Sequence, residues 1–150
     1  MIQEETLDKQ LAQLTDEHQH GLQFCSRIRA GIKNGVELSR IKAYTDWYFE
    51  TYLLPHLQRE EQVMIEFLGK SNLFVAKSQT QHRRLKRLFL KTAVLSKQLN
   101  AIEEELETNI RFEENRLFPE LKSQCSFCSH PAKEPEVLQE DWPDYFWEDM

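Results

Sequence analysis

The stretch Tyr52 to Glu66, YLLPHLQREEQVMIE, sets a histidine and a glutamate, His56 and Glu60, four residues apart. On a helix that spacing stacks the two side chains on one face, so that an imidazole and a carboxylate converge on one point. The face is an inner one. Ile41, Tyr44, Tyr48, Tyr52, His56, Glu60, Val63 and Phe67 recur at steps of three and four, the period of a stripe turned toward a core. An ionised carboxylate taken out of water needs a partner, because the bare charge costs several kcal/mol. Three more polar residues at core positions of their own helices, His18, His82 and Glu113, are placed to take part.

In a helical hairpin, residues at one height have numbers that average to the number of the turn. His18 and His56 average to 37, beside Asn34 and Gly35; Glu60 and His82 average to 71, within the turn at Gly69 to Asn72; His82 and Glu113 average to 97.5, beside Asn100. A helix rises ~1.5 Å per residue, so an error of one or two positions moves a side chain only a few ångströms. All five residues therefore fall in one layer. Three imidazoles and two carboxylates form a nitrogen and oxygen ligand set suited to iron, manganese or zinc, and the two glutamates can each bridge two ions. The plainer reading makes each histidine a hydrogen-bonded core residue. For five such residues in one layer it leaves buried charge with few partners, which favours a metal site.

The elements that must hold this layer follow from the same periodicity. A first helix is predicted over Glu5 to Lys33, ended by Asn34 and Gly35, and a second over Glu37 to Leu68, closed by Gly69. Pro55 lies inside the second and predicts a kink near Thr51, where a backbone hydrogen bond is missing. A third helix is predicted over Leu73 to Leu99, with Thr92 and Leu95 or Ser96 continuing its inward stripe, and Asn100 as the turn. A fourth runs from Ala101 to about Phe118, with Ile102, Leu106, Asn109, Glu113 and Leu117 inward, until Pro119 loosens or ends it. Four comparable helices joined by short turns predict an all-α, up-down-up-down antiparallel four-helix bundle over residues 1–123. Beyond Ser123 the period is lost. Residues 124–150 read as an irregular, aromatic-rich C-terminal extension whose Trp142, Tyr145, Phe146 and Trp147 dock on the bundle.

Composition bounds the function. With 150 residues, 40% of them hydrophobic, 29% charged and only four glycines, the chain suits one soluble helical domain. A net charge of -6 argues against nucleic acid as a partner; the one basic run, HRRLKRLFLK from His82 to Lys91, reads as a solvated helix face. No apolar run approaches the ~20 residues that span a bilayer, and Met1 to Gln10 does not pair a basic start with an apolar segment, so no membrane partner and a cytoplasmic location are expected. Three cysteines do not make a disulfide framework. Cys25 is expected as a small buried apolar residue, while Cys125, Cys128 and His130 form C-x-x-C-x-H, half of a zinc site or a redox pair. No serine or cysteine nucleophile with a histidine stands out, nor a glycine loop for phosphate, so catalysis is not the first expectation.

The segments DEH at Asp16 to His18, HLQREE at His56 to Glu61, QH at Gln81 to His82 and IRFEENRLFPEL at Ile110 to Leu121 resemble, in order and spacing, the four helices of the hemerythrin-like HHE cation-binding domains. The resemblance covers about Leu7 to Leu121. It implies His18, His56, Glu60, His82 and Glu113 as ligands of a non-haem iron centre of one or two ions. The implied role is sensing, storing or handling iron, oxygen or reactive oxygen and nitrogen species, with oxygen, peroxide or nitric oxide as the small-molecule ligand. Where that family usually has a histidine four residues before the last glutamate, this chain has Asn109, a weak neutral ligand that implies a weaker second ion. Ser78 likewise stands where the oxygen-carrying members have a second histidine on the third helix.

Glu61 and Glu114 follow the ligand glutamates by one residue, a rotation of about 100°. They are expected at the surface or in support of the ligands. Tyr52, one turn before His56, is a core aromatic whose hydroxyl could reach the metal layer. Two other functions fit the same residues. One is a metal-free or metal-degenerate bundle acting as a protein-interaction module through its aromatic tail; the other is a di-iron oxidoreductase, which needs two well-held ions.

Overall fold

The computed structural model of the chain describes residues 2–92, 95–124 and 142–148. These are mostly helical, with no strand among them, and form a helical bundle. Helix α1 spans Ile2–Lys33. Helix α2, Leu38–Tyr48, runs through a π-helical turn, Phe49–Leu53, into α3, Leu54–Leu68. Helix α4 spans Leu73–Phe89, and α5, Ser96–Phe112, runs through a second π-helical turn, Glu113–Leu117, into α6, Phe118–Lys122. A single 3-10 turn, Phe146–Glu148, follows. The first two connections use glycine where the backbone turns left-handed, Gly35 at φ 70° and Gly69 at φ 83°. Asn72 then caps α4, its side-chain oxygen accepting from the backbone N–H groups of Phe74 and Val75 at 2.8 and 3.2 Å.

Both π-helical turns end two residues before a proline, Pro55 or Pro119. Proline brings no N–H, and its ring crowds the carbonyl four residues back. A wider turn removes both problems: Leu54 N–H donates to the Phe49 carbonyl and Phe118 N–H to that of Glu113. Each rod thus continues past its proline, and the extra residue resets the phase of its inner face. Tyr48, Phe49, Leu53, His56, Leu57 and Glu60 are buried, while Tyr52 is only half-buried.

The third predicted helix is shorter than its pattern. It stops at Phe89, and α5 starts at Ser96, with Leu95 in extended conformation before it and Asn100 inside the helix. Thr92 and Leu95, expected inward, are exposed. The apolar stripe of α4 ends at Phe89, its next position is a β-branched polar residue, and Leu99 of α5 takes over the inward role.

Two apolar clusters form the core. One gathers around Phe24, Ile28, Ile41, Tyr44, Leu85 and Leu106; the other around Leu7, Leu11, Val63, Met64, Val75 and Leu117. Each of these buried side chains contributes roughly 1.5–3 kcal/mol, which is what allows a polar layer to be enclosed with them. That layer, His18, His56, Glu60, Ser78, Gln81, His82, Asn109 and Glu113, is buried as well. The segment 142–148 adds to the first cluster. Phe146 is fully buried, its ring 2.8 Å from where a Cβ on Gly31 would stand. Arg40 donates to both carboxylate oxygens of Asp144, at 2.9 and 2.6 Å, and the Arg27 guanidinium lies 4.0 Å over the Trp147 ring.

Candidate metal centre

The inner faces of α1, α3, α4 and the π-helical turn at Glu113 bring His18, His56, Glu60, His82 and Glu113 together. Each glutamate divides its two oxygens. Glu60 Oε2 lies 2.8 Å from His18 Nε2 and 3.2 Å from His56 Nε2, and its Oε1 lies 3.1 Å from His82 Nε2. Glu113 Oε1 lies 3.0 Å from His18 Nε2, and its Oε2 lies 2.8 Å from His82 Nε2. His18, His56, Glu60 and Glu113 each offer one ligand atom, all within 4.8 Å of one another, and this buried group could hold a metal ion. His82 stands outside that group of four, on the opposite oxygens of the same two carboxylates.

The donor set fits a cation. Two ligand atoms each ~2.1 Å from one ion and at right angles to it stand ~3.0 Å apart, which is the spacing of the inner contacts. One oxygen also lacks what burial demands: Glu60 Oε1 is closed to solvent and has no hydrogen bond, although His82 Nε2 is near. The proximity is electrostatic, without the alignment of a hydrogen bond.

Each of the three histidines of the layer is held from its other side too. His56 Nδ1 donates to Glu17 Oε1 at 2.7 Å, His82 Nδ1 to Glu61 Oε2 at 3.1 Å, and His18 Nδ1 to Glu114 Oε2 at 3.2 Å. Phe118 stacks on the His18 ring, centroids 5.0 Å apart and planes 9° off parallel. Glu61 and Glu114 thus support the ligands. Glu17 does the same from α1; its only signal in the sequence is its place beside His18 in the DEH segment, with no period to mark it.

Charge in the layer is balanced between these groups. Burial opposes protonation of His18, yet Glu113, Glu114 and Glu60 hold its pKa well above the ordinary 6.5. Burial likewise opposes it at His82, where Glu113, Glu60 and Glu61 win by a wide margin, and at His56, raised by Glu60 and Glu17. Burial would push Glu60 up, but His56, His18 and His82 hold its carboxyl well below the usual 4.5. Carboxylates and imidazoles in the layer thus favour each other's charged forms.

Three neutral side chains complete the layer around Glu113. Ser78 Oγ donates to its Oε2 at 2.6 Å, and Asn109 Nδ2 donates to the same oxygen at 3.2 Å and to Gln81 Oε1 at 2.8 Å. A carboxylate only accepts, so Asn109 presents its amino group, not its oxygen, to Glu113. Gln81, which the sequence marks only as the neighbour of His82 in the QH segment, holds the amide that way round. Tyr52 makes its ring contacts with Trp47 and Tyr48, at centroid distances of 5.4 and 6.2 Å. Cys25 is buried in the first cluster with its Sγ 3.3 Å from the Glu103 carbonyl, and burial pushes its thiol up to about 12. Cys125, Cys128 and His130 lie outside the described residues.

Fold and site together define an all-helical protein with a buried histidine and glutamate group able to hold a metal ion. No family model, curated protein or solved structure matches the chain. Among the described residues no helix is long and apolar enough to cross a membrane.

Proposed function

We propose that this chain is a hemerythrin-like iron-binding protein that senses, stores or handles iron, oxygen or reactive oxygen and nitrogen species. The observation that carries it is the division of both glutamates. Glu60 and Glu113 each turn one oxygen toward His18 and the other toward His82, the arrangement two carboxylates need to lie between two cations. The side of His18 and His56 has two imidazoles and two carboxylate oxygens; the side of His82 has one imidazole, two carboxylate oxygens and the neutral groups of Ser78 and Asn109. One ion is held more firmly than the other on this reading. Bound iron would supply redox chemistry and a position for oxygen, peroxide or nitric oxide.

The chain's own residues do the rest. His18, His56 and His82 offer Nε2, Glu60 and Glu113 offer carboxylate oxygens, and Ser78 and Asn109 orient Glu113 by donating to it. Phe118 and the two apolar clusters keep water from the layer. An up-down-up-down course of the four rods belongs to this proposal. It is supported by the order in which the two clusters alternate along the chain: Leu7 before Phe24, Ile41 before Val63, Val75 before Leu85, Leu106 before Leu117. The pairs Ser78 with Glu113, Gln81 with Asn109 and Arg84 with Glu105 also step in opposite directions along α4 and the last rod.

A metal-free interaction module is the second reading, favoured by the bonds that Asn109 makes to Gln81 and Glu113 without any ion. Against it, Phe146, Trp142 and Trp147 contact Tyr44 of their own chain. Metal analysis of protein expressed in iron-replete medium, with its absorption spectrum in air, decides between the two. Bound iron supports the proposal, and oxo-bridged charge-transfer bands would make the centre dinuclear. No metal after anaerobic loading with ferrous iron would sink it.

A further inference from the structure

The three outer carboxylates follow one rule. Glu17 precedes the inner ligand His18, Glu61 follows Glu60 and Glu114 follows Glu113, yet each accepts from a histidine on a different rod: Glu17 from His56, Glu61 from His82, Glu114 from His18. A neutral imidazole carries one N–H, and an acceptor at Nδ1 selects the tautomer whose lone pair is on Nε2. All three Nε2 atoms face Glu60 or Glu113. Two of the locks are themselves held by surface cations: Arg59 donates to Glu17, and Lys86 Nζ lies 4.0 Å from Glu61 Oε2.

We propose that Glu17, Glu61 and Glu114 are positioning residues of the metal centre, each holding one histidine of a neighbouring rod with its Nε2 lone pair turned inward. The inference rests on the metal-binding reading and deepens it. It gives the second member of each Glu-Glu doublet a task distinct from that of the first: Glu60 and Glu113 meet the ion, while Glu61 and Glu114 fix the donor that meets it from across the bundle. It also makes the ligand set a product of packing. No rod carries both a histidine ligand and the carboxylate that orients it, so donors become oriented only when the rods are assembled.

The test uses zinc(II) and the full chain with Glu17→Ala, Glu61→Ala and Glu114→Ala, changes at part-exposed sites that take the acceptor away. Glu66→Ala, at an exposed charge on α3, serves as the control. Zinc affinity is measured by competition with a chelator, and the imidazole Nδ1–H signals of the zinc-loaded protein are followed by NMR. Each of the three changes is expected to weaken binding ~10–100-fold. The His56 signal is expected to move in Glu17→Ala, that of His82 in Glu61→Ala and that of His18 in Glu114→Ala, with Glu66→Ala like the wild type. Affinities equal to that of the wild type, or an equal loss in Glu66→Ala, would overturn the positioning role while leaving the metal site standing. A wild-type chain that takes up neither zinc nor ferrous iron would remove both.

Discussion

His18 Nε2 lies 2.8 Å from Glu60 Oε2, and both side chains are closed to solvent. The same carboxylate is 3.2 Å from His56 and 3.1 Å from His82, so it is the anion that three buried imidazoles share. Breaking a buried charge pair by removing one partner costs ~3–5 kcal/mol, because the remaining charge is left enclosed. Glu60→Ala is therefore expected to destabilise the metal-free protein by about that amount in denaturant unfolding, and to abolish metal uptake. A loss near that of an ordinary surface change would mean that the imidazoles are neutral without metal.

The same groups set the pH dependence. The pKa values of His18 and His82 are raised on folding, so their contribution is complete below the ordinary 6.5 and is lost as pH climbs through the raised values. That of Glu60 is depressed, so its contribution is present above 4.5 and is lost as pH falls through the lowered value. For these groups the metal-free protein is most stable between the two ordinary values and weakens above 6.5. Metal needs the imidazoles deprotonated, so its stabilising effect grows in the range where the protons leave. Thermal melts with chelator and with metal, from about pH 5 to about pH 9, check this. A melting temperature in chelator that stays flat above pH 6.5 would contradict it.

The candidate site was legible because its parts are periodic. His18, His56, Glu60, His82 and Glu113 sit on apolar stripes, and averaging their numbers put them in one layer. The layer holds although α4 ends at Phe89 and α5 begins at Ser96, ahead of the turn expected at Asn100, since the side chains of His82 and Glu113 still meet. The outer layer was less visible. Glu17 lies off the inner stripe, and only the packing of α1 against α3 tells that it faces His56. The π-helical turns were hidden for another reason: a proline announces a disturbance at Pro55 and Pro119, but not whether the rod bends or widens.

Gly31 is where the C-terminal segment meets the bundle. A Cβ there would stand 2.8 Å from one atom of the Phe146 ring, 2.9 Å from another and 3.0 Å from Ile41 Cδ1. The ring is rigid and fully buried, so Gly31→Ala must displace it at a cost of about 1–3 kcal/mol. The expected readout is a red shift of tryptophan fluorescence as Trp142 and Trp147 gain water, with metal content unchanged. An unshifted spectrum would mean that Phe146 does not depend on this contact.

Asn109 is buried beside Gln81 and Glu113, four residues before the glutamate on the last rod. An imidazole there would stand on the side of Glu113 that faces His82, where Ser78 and Asn109 now offer only neutral hydrogen bonds. It would add a nitrogen donor to the weaker half of the layer, making two histidines and two shared carboxylates on that side, as on the side of His18 and His56. The bond to Gln81 would be given up, and a larger ring would press on its neighbours, so a stability loss of about 1–3 kcal/mol accompanies the change. In the metal-loaded state that loss is opposed by the second ion, since whatever binds only the folded chain stabilises it. Asn109→His is therefore expected to raise metal content from about one ion per chain toward two, with the larger share of the gain lost again in Asn109→His combined with His82→Ala. Equal metal content in wild type and Asn109→His would place Asn109 outside the ligand layer and leave a single ion, held by His18, His56, Glu60 and Glu113, as the capacity of the site.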